Sequence, residues 1–194
     1  MKPACTTQQS TCISELRLGS FSEENVMHRV KRAILVILVL CSCIACDQTT
    51  KSIAREHLAA SHAISYLGDL FRFQYAENRG AFLGMGSGLP ENLRTGFLIV
   101  LVGIMLTGML VFTFVRRQLR LDCCLGLALV IGGGLSNLLD RLLYRGAVID
   151  FMNLGLGNLR TGIFNVADLV ILLGVGLLGF CVFCCSDEQC ASHS

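Results

Sequence analysis

Four aspartates stand in or beside apolar runs where a charge is costly: Asp47, Asp140, Asp150 and Asp168. Asp47 follows the run 33–46, and Asp140 ends GGGLSNLLD (132–140). Asp168 ends FNVAD (164–168), while Asp150 lies in AVIDFM (147–152), in the short loop between the last two helical runs. An Asp at the centre of a membrane helix costs about 2.5–3.5 kcal/mol by insertion scales, so such a group is a functional candidate by default. Several of them bunched near the same ends of different helices suggest a site rather than scattered tolerance. Two carboxylates held close cannot both ionise comfortably, and one keeps a proton. The ionised partner can deprotonate a water while the protonated one hydrogen-bonds a substrate carbonyl. That division of labour hydrolyses a peptide bond without a metal or a cysteine.

Asp150 and Asp168 are the pair that spacing brings within reach. Gly155, Gly157 and Gly162 lie between them and let the connecting segment fold back. Asp168 has a structural reading as well, as the third residue of a helix capped by Asn165. Asn137 and Asp140 are three apart and so share a helix face. Gly132, Gly133, Gly134 and Ser136 let a neighbouring helix approach that segment closely. Arg141 follows directly and is expected to neutralise Asp140, which makes that pair a structural clamp. Asp47 and Lys51 are four apart and could pair on a helix surface at the membrane boundary. Asn78, in the turn-rich stretch YAENRGAFLG (75–84), is either a turn residue or a polar contact to substrate.

These residues need elements that a membrane supplies. The 194 residues are 53% hydrophobic and 15% charged, with a mean hydropathy of +0.63, and the apolar residues come in blocks rather than in alternation. Residues 96–115 carry no charge, enough helix to cross a hydrocarbon core of about 30 Å. Runs 123–139, 169–185 and 33–46 are shorter and become spans by continuing through nearby polar residues. The expectation is an all-α membrane protein of four transmembrane helices, with a small β-rich extracytoplasmic segment between the first and second. Ile64, Tyr66, Leu70, Phe71, Phe73 and Tyr75 read as its short strands, lying at the bilayer surface.

Arg29, Lys31 and Arg32 precede the first span, and Arg116, Arg117 and Arg120 fill the turn after the second. The positive-inside rule puts both termini and that turn in the cytoplasm. Because topology already accounts for these six basic residues, nucleic acid is excluded as a partner. Residues 1–27 read as an irregular tail or as sequence before a start at Met27, 28–185 as the membrane domain and 186–194 as a short cytoplasmic tail. A basic start followed by LVLC (38–41) also has the form of a lipoprotein signal peptide, but three further spans follow it where a soluble domain should. The eleven cysteines read as small apolar packing residues, with zinc or redox chemistry as the alternative. The segments expected to face outward contain none.

Taken together, the motifs resemble signal peptidase II, the lipoprotein signal peptidase of bacteria. They are Asp47-Gln-x-x-Lys51, Glu77-Asn-x-Gly80-Ala-Phe82, Gly133-x-x-x-Asn137-x-x-Asp140-Arg141, Val148-x-Asp150-Phe151 and Phe164-Asn-x-Ala-Asp168. Two positions depart from the family pattern: the loop at Gly80 is one small residue short, and Ser136 stands where a glycine is usual. The resemblance implies an intramembrane aspartyl endopeptidase without cofactor or metal. Its catalytic residues would be Asp150 and Asp168, with Asp47, Asn78, Asn137, Asp140, Arg141 and Asn165 as supporting or substrate-contacting residues. It also implies diacylglyceryl-modified prolipoproteins as substrates, cut on the amino side of the lipidated cysteine. A monomer among membrane lipids is expected, in the bacterial inner membrane with its active site near the outer face. A small transporter or proton-linked carrier is the competing class, and an inactive homologue a third. A carrier should spread its acids along a path through the membrane, whereas here they gather at one boundary.

Overall fold

The sequence 95–115 contains no charge and forms a helix most of whose large side chains point outward. Phe97, Val100, Ile104, Met105, Val111 and Phe114 are all exposed, as a helix facing lipid requires. In the computed structural model, which describes residues 7–60, 63–79, 90–116, 119–157 and 159–191, this helix is α2 (Glu91–Val115). The chain order is α1 (Thr7–Leu58), β1 (Ile64–Tyr66), β2 (Phe71–Asn78), α2, α3 (Leu121–Leu143), β3 (Val148–Leu156), β4 (Leu159–Arg160) and α4 (Val166–Ala191). The chain divides into two compact units, Met1–Ile37 and Leu38–Ser194. α1 runs through both, and every candidate residue named above belongs to the second.

Among the described residues, three stretches are long and apolar enough to cross a membrane: Thr95–Val115, Leu121–Leu143 and Val166–Phe183. The fourth expected span, 33–46, lies inside α1. Lys31 and Arg32 before it and Asp47 and Lys51 after it leave a shorter uninterrupted apolar run. α1 begins at Thr7, within the stretch expected to be an irregular tail. Once Pro3 is passed nothing there breaks a helix outright, and Glu15, Leu16, Arg17 and Leu18 favour one. α4 likewise continues beyond 185, to Ala191.

α3 is the helix on which the others converge, through three consecutive glycines. A Cβ on Gly132 would lie 2.9 Å from Cys43 Cβ on α1, one on Gly133 2.6 Å from the Ala167 carbonyl oxygen on α4, and one on Gly134 2.6 Å from Leu106 Cδ2 on α2. Each glycine therefore admits a different neighbour. Gly126 and Gly174 repeat the close approach of α3 and α4 farther along, a Cβ on Gly174 meeting the Gly126 carbonyl at 2.8 Å. This is helix association through small residues, which lets backbones meet where apolar burial between helices gains nothing over lipid. At the start of α3, Cys123 joins Cys181 of α4 in a disulfide, their Cα atoms 6.0 Å apart. The expectation of cysteine as simple packing holds for buried Cys43 and Cys124 and is corrected for this pair, which the α3–α4 contact brings within disulfide reach.

The strands form a single antiparallel sheet in the order β1-β2-β3-β4. Half of it comes from 148–160, between α3 and α4, where the sequence reading had a loop. VIDFMNLGL has the cue of a buried strand, a short apolar run rich in β-branched and aromatic residues between Gly146 and Gly157. The turn into β3 passes through Arg145 and Gly146, both at positive φ (52° and 91°), and the Gly146 N–H bonds back to the Arg141 carbonyl at 2.8 Å. That ends the helix as a left-handed cap does. Phe71, Phe73 and Tyr75 pack against Ala54, Leu58, Phe151 and Met152. These aromatics fasten the sheet to the last turns of α1 instead of simply lying along the surface.

Candidate active site

Five elements deliver the candidate side chains. α1 supplies Asp47, Gln48 and Lys51, α3 supplies Ser136, Asn137, Asp140 and Arg141, β3 supplies Asp150, and the start of α4 supplies Asn165 and Asp168. Asn78 ends β2. Its register partner is Val148, and Ala76 faces Asp150, so Asn78 and Asp150 are diagonal neighbours on one face of the sheet. Asn78 Nδ2 donates to Asp150 Oδ2 at 3.0 Å. Asn78 is therefore a strand residue bonded to Asp150, not a turn residue. Gly80, Ala81 and Phe82, the rest of its motif, lie outside the described residues.

Asn165 and Asp168 cap α4 reciprocally. The Asp168 N–H donates to Asn165 Oδ1 at 3.0 Å, and the Asn165 N–H donates to Asp168 Oδ2 at 3.1 Å. The same Asn165 reaches the other carboxylate, its Nδ2 donating to Asp150 Oδ1 at 2.6 Å. Asn137 Nδ2 donates to Asp168 Oδ1 at 2.9 Å, while its Oδ1 accepts from Asn165 Nδ2 at 3.1 Å. Asp150 and Asp168 are thus linked through two asparagines, and the capping reading of Asp168 holds. Asp150 is 2% exposed. Burial, reinforced by the Asp168 charge, pushes its carboxyl up to about 6, against the donors of Asn78 and Asn165 and the charge of Lys51.

Behind this pair lies a buried ionic network. Lys51 is 1% exposed and Asp47 and Asp140 are fully buried. The Lys51 ammonium contacts Asp47 Oδ2 at 2.6 Å, Asp140 Oδ2 at 2.7 Å and Asn137 Oδ1 at 2.9 Å. Two expectations are corrected here. Asp47 and Lys51 are a buried pair and not a boundary surface pair, because Gly132 lets α1 pack closely against α3. The cation beside Asp140 is Lys51, while Arg141 Nη1 donates to the Asn137 carbonyl at 3.2 Å. Arg141 still lies within Coulombic reach of Asp150, Asp168 and Asp140.

Sequence reasoning left three contributors out of the site: Lys51, Gln48 and Ser136. Gln48 Nε2 donates to Asp140 Oδ1 at 2.7 Å, and Ser136 Oγ donates to Asp47 Oδ2 at 2.7 Å. The remaining Asp47 oxygen takes the Ala167 N–H at 2.8 Å, and Asp140 Oδ2 takes the Ile149 N–H at 3.1 Å. Asp47 therefore ties α1 to the first turn of α4, and Asp140 ties α3 to β3. The available signal was helical spacing, since Asp47, Gln48 and Lys51 lie on one face.

Among the described residues, Asp122, Cys123 and Cys181 form a group with the ligand types and spacing of a metal site. Its two sulfurs are engaged in the disulfide. It also sits near the opposite end of α3 from Asp140, about 25 Å away along the helix.

The profile of the family "Signal peptidase (SPase) II" matches residues 39–184. The chain belongs to the signal peptidase II family. The lipoprotein signal peptidase of Anaplasma phagocytophilum is 34% identical over 152 residues, covering 75% of this chain and 90% of that protein. That of Thermodesulfovibrio yellowstonii is 35% identical over 151 residues, covering 78% and 92%. A bacterial membrane enzyme solved in meso at 2.3 Å shares the fold, with a TM-score of 0.68 at 24% identity over 80% of this chain and 91% of that one. The family match takes in the four aspartates and the asparagines between them. It makes this chain a membrane protease and favours the peptidase reading over the carrier.

Proposed function

We propose that Asp150 and Asp168 are the catalytic dyad of an aspartyl endopeptidase, through which this signal peptidase II removes signal peptides from prolipoproteins. The observation that carries the reading is Asn165, which holds one carboxylate through its side chain and the other through a reciprocal cap. One proton shared by the pair suits the chemistry. The ionised member takes a proton from a water aimed at the scissile carbonyl carbon, and the protonated member hydrogen-bonds the carbonyl oxygen as negative charge develops there. The proton is then returned to the departing amine, which restores the pair. Asn78, Asn137 and Asn165 orient the carboxylates, Asp47, Asp140 and Lys51 brace the helices behind them, and Arg141 lends positive charge close by.

The substrate in this reading is a diacylglyceryl-modified prolipoprotein, cut on the amino side of its lipidated cysteine. A lateral approach through the bilayer fits a site at the ends of apolar helices beside a small sheet. The protein is placed in the bacterial inner membrane as a four-span monomer, with α1 supplying the span around 33–46. The basic residues near 29–32 and 116–120 support cytoplasmic termini and a site near the outer face. Residues 28–185 form the peptidase domain.

The test is incubation of purified protein with one prolipoprotein in two forms, diacylglyceryl-modified and unmodified, with products read by mass spectrometry. Cleavage immediately before the modified cysteine, with the unmodified form left whole, is expected. An intact lipidated substrate, or cleavage elsewhere, overturns the reading.

A further inference from the structure

We propose that Lys51 is a positioning residue that fixes the orientation of the Asn137 side-chain amide and, through it, the N–H that Asp168 receives. The proposal rests on the dyad reading and adds a residue to it.

An ammonium has three N–H groups, and each of Lys51's has one acceptor, on Asp47, Asp140 and Asn137. The two carboxylates have other donors as well. Asp47 receives the Ser136 hydroxyl and the Ala167 N–H, and Asp140 receives Gln48 and the Ile149 N–H. Bracing the helices therefore does not account for the third bond, to Asn137. That bond decides an orientation. An amide can present either its oxygen or its NH₂ to a neighbour. Asn137 Oδ1 takes N–H groups from both Lys51 and Asn165, which leaves Nδ2 facing Asp168 Oδ1. Turned over, the amide would set its own N–H groups against an ammonium and a second amide, and would offer a lone pair to a carboxylate. Lys51 makes that state costly without touching Asp168. α1 thus reaches the start of α4 by two routes, the backbone through Asp47 to Ala167 and the carboxylate through Lys51 and Asn137.

The ionisable groups around Lys51 come from four of the five elements at the site: Asp47 on α1, Asp140 and Arg141 on α3, Asp150 on β3 and Asp168 on α4. A pH profile is therefore the readout that separates positioning from bracing. Loss of the Lys51 charge removes an influence that lowers the Asp150 carboxyl and should carry the alkaline limb of activity to higher pH.

Lys51→Met and Lys51→Gln are each combined with Asp140→Asn, so that a buried cation and a buried anion leave together, and Asp140→Asn alone is the reference. Cleavage of a diacylglyceryl-modified prolipoprotein is followed as kcat, KM and pH profile, with thermal melting and Asp150→Asn alongside. The Met variant is expected to melt cooperatively and keep the reference KM, to lose kcat on the order of 10²-fold, and to show the shifted limb. The Gln variant keeps a neutral N–H donor and should recover part of that kcat. A Met variant matching the reference in kcat and pH profile overturns the proposal, and so does one that fails to melt cooperatively, because bracing is then the whole role. If Asp150→Asn cleaves normally, the dyad reading itself has failed. If Asp150→Asn is inactive while the Lys51 variants match the reference, only the role of Lys51 falls.

Discussion

Asp150 sits beneath two asparagine donors on a strand, and burial is the first reason that its carboxyl rises to about 6. A donor that bonds the charged form favours that form, so Asn78 holds the carboxyl lower than burial alone would. Asn78→Ala should raise it further. In the proposed dyad the shared proton is then lost at higher pH, and the alkaline limb of kcat/KM, expected near 6 in the wild type, moves upward. Profiles of the two proteins on one substrate check this; an unmoved limb, or one moved to lower pH, contradicts it. The acids and asparagines were legible because polar residues in apolar runs stand out. Lys51 was not, because an Asp–Lys pair four apart has the same spacing whether it lies in water or is buried. Only the approach of α3 buries it. Removing Lys51 alone would strand two buried carboxylates, at a cost of about 3–5 kcal/mol, which a large fall in melting temperature would register.

Elements set those side chains in place, and α3 contributes most. At Gly133 an added Cβ meets a backbone carbonyl of α4, one residue before Asp168, whereas at Gly134 it meets the flexible end of Leu106. Backbone cannot step aside and a leucine tip can. Gly133→Ala should therefore cost about 1–3 kcal/mol of stability and depress cleavage, while Gly134→Ala costs less. Melting curves in the same detergent rank the two, and equal losses would contradict the packing argument. The helices were legible from their charge-free lengths, and the cap of α4 from Asn165 and Asp168 three apart. The strand carrying Asp150 was missed because an apolar run of that length, flanked by glycine, reads equally as a connector until it has a partner. β2 supplies that partner, in a register that local sequence does not encode.

Across the whole molecule, the carboxylates gather at one end of α3 and the Cys123–Cys181 disulfide lies near the other. Sites that far apart with no shared partners act independently. Cys123→Ser and Cys181→Ser should thus leave kcat/KM for a lipidated substrate unchanged, whatever they do to melting; a marked fall in activity would show that the two ends are coupled. Composition made the membrane class plain and motif order made the family plain, since both survive averaging over the chain. The pairing of the two cysteines was hidden because they are fifty-eight residues apart and meet only when α3 and α4 pack. In the proposed mechanism Asp150 and Asp168 perform the hydrolysis together. Its most direct test is cleavage of a diacylglyceryl-modified prolipoprotein by the purified wild type, Asp150→Asn and Asp168→Asn, each shown to melt as a folded protein. Each variant should lose activity on the order of 10⁴-fold while the wild type cuts before the lipidated cysteine. Normal cleavage by either variant would contradict that mechanism.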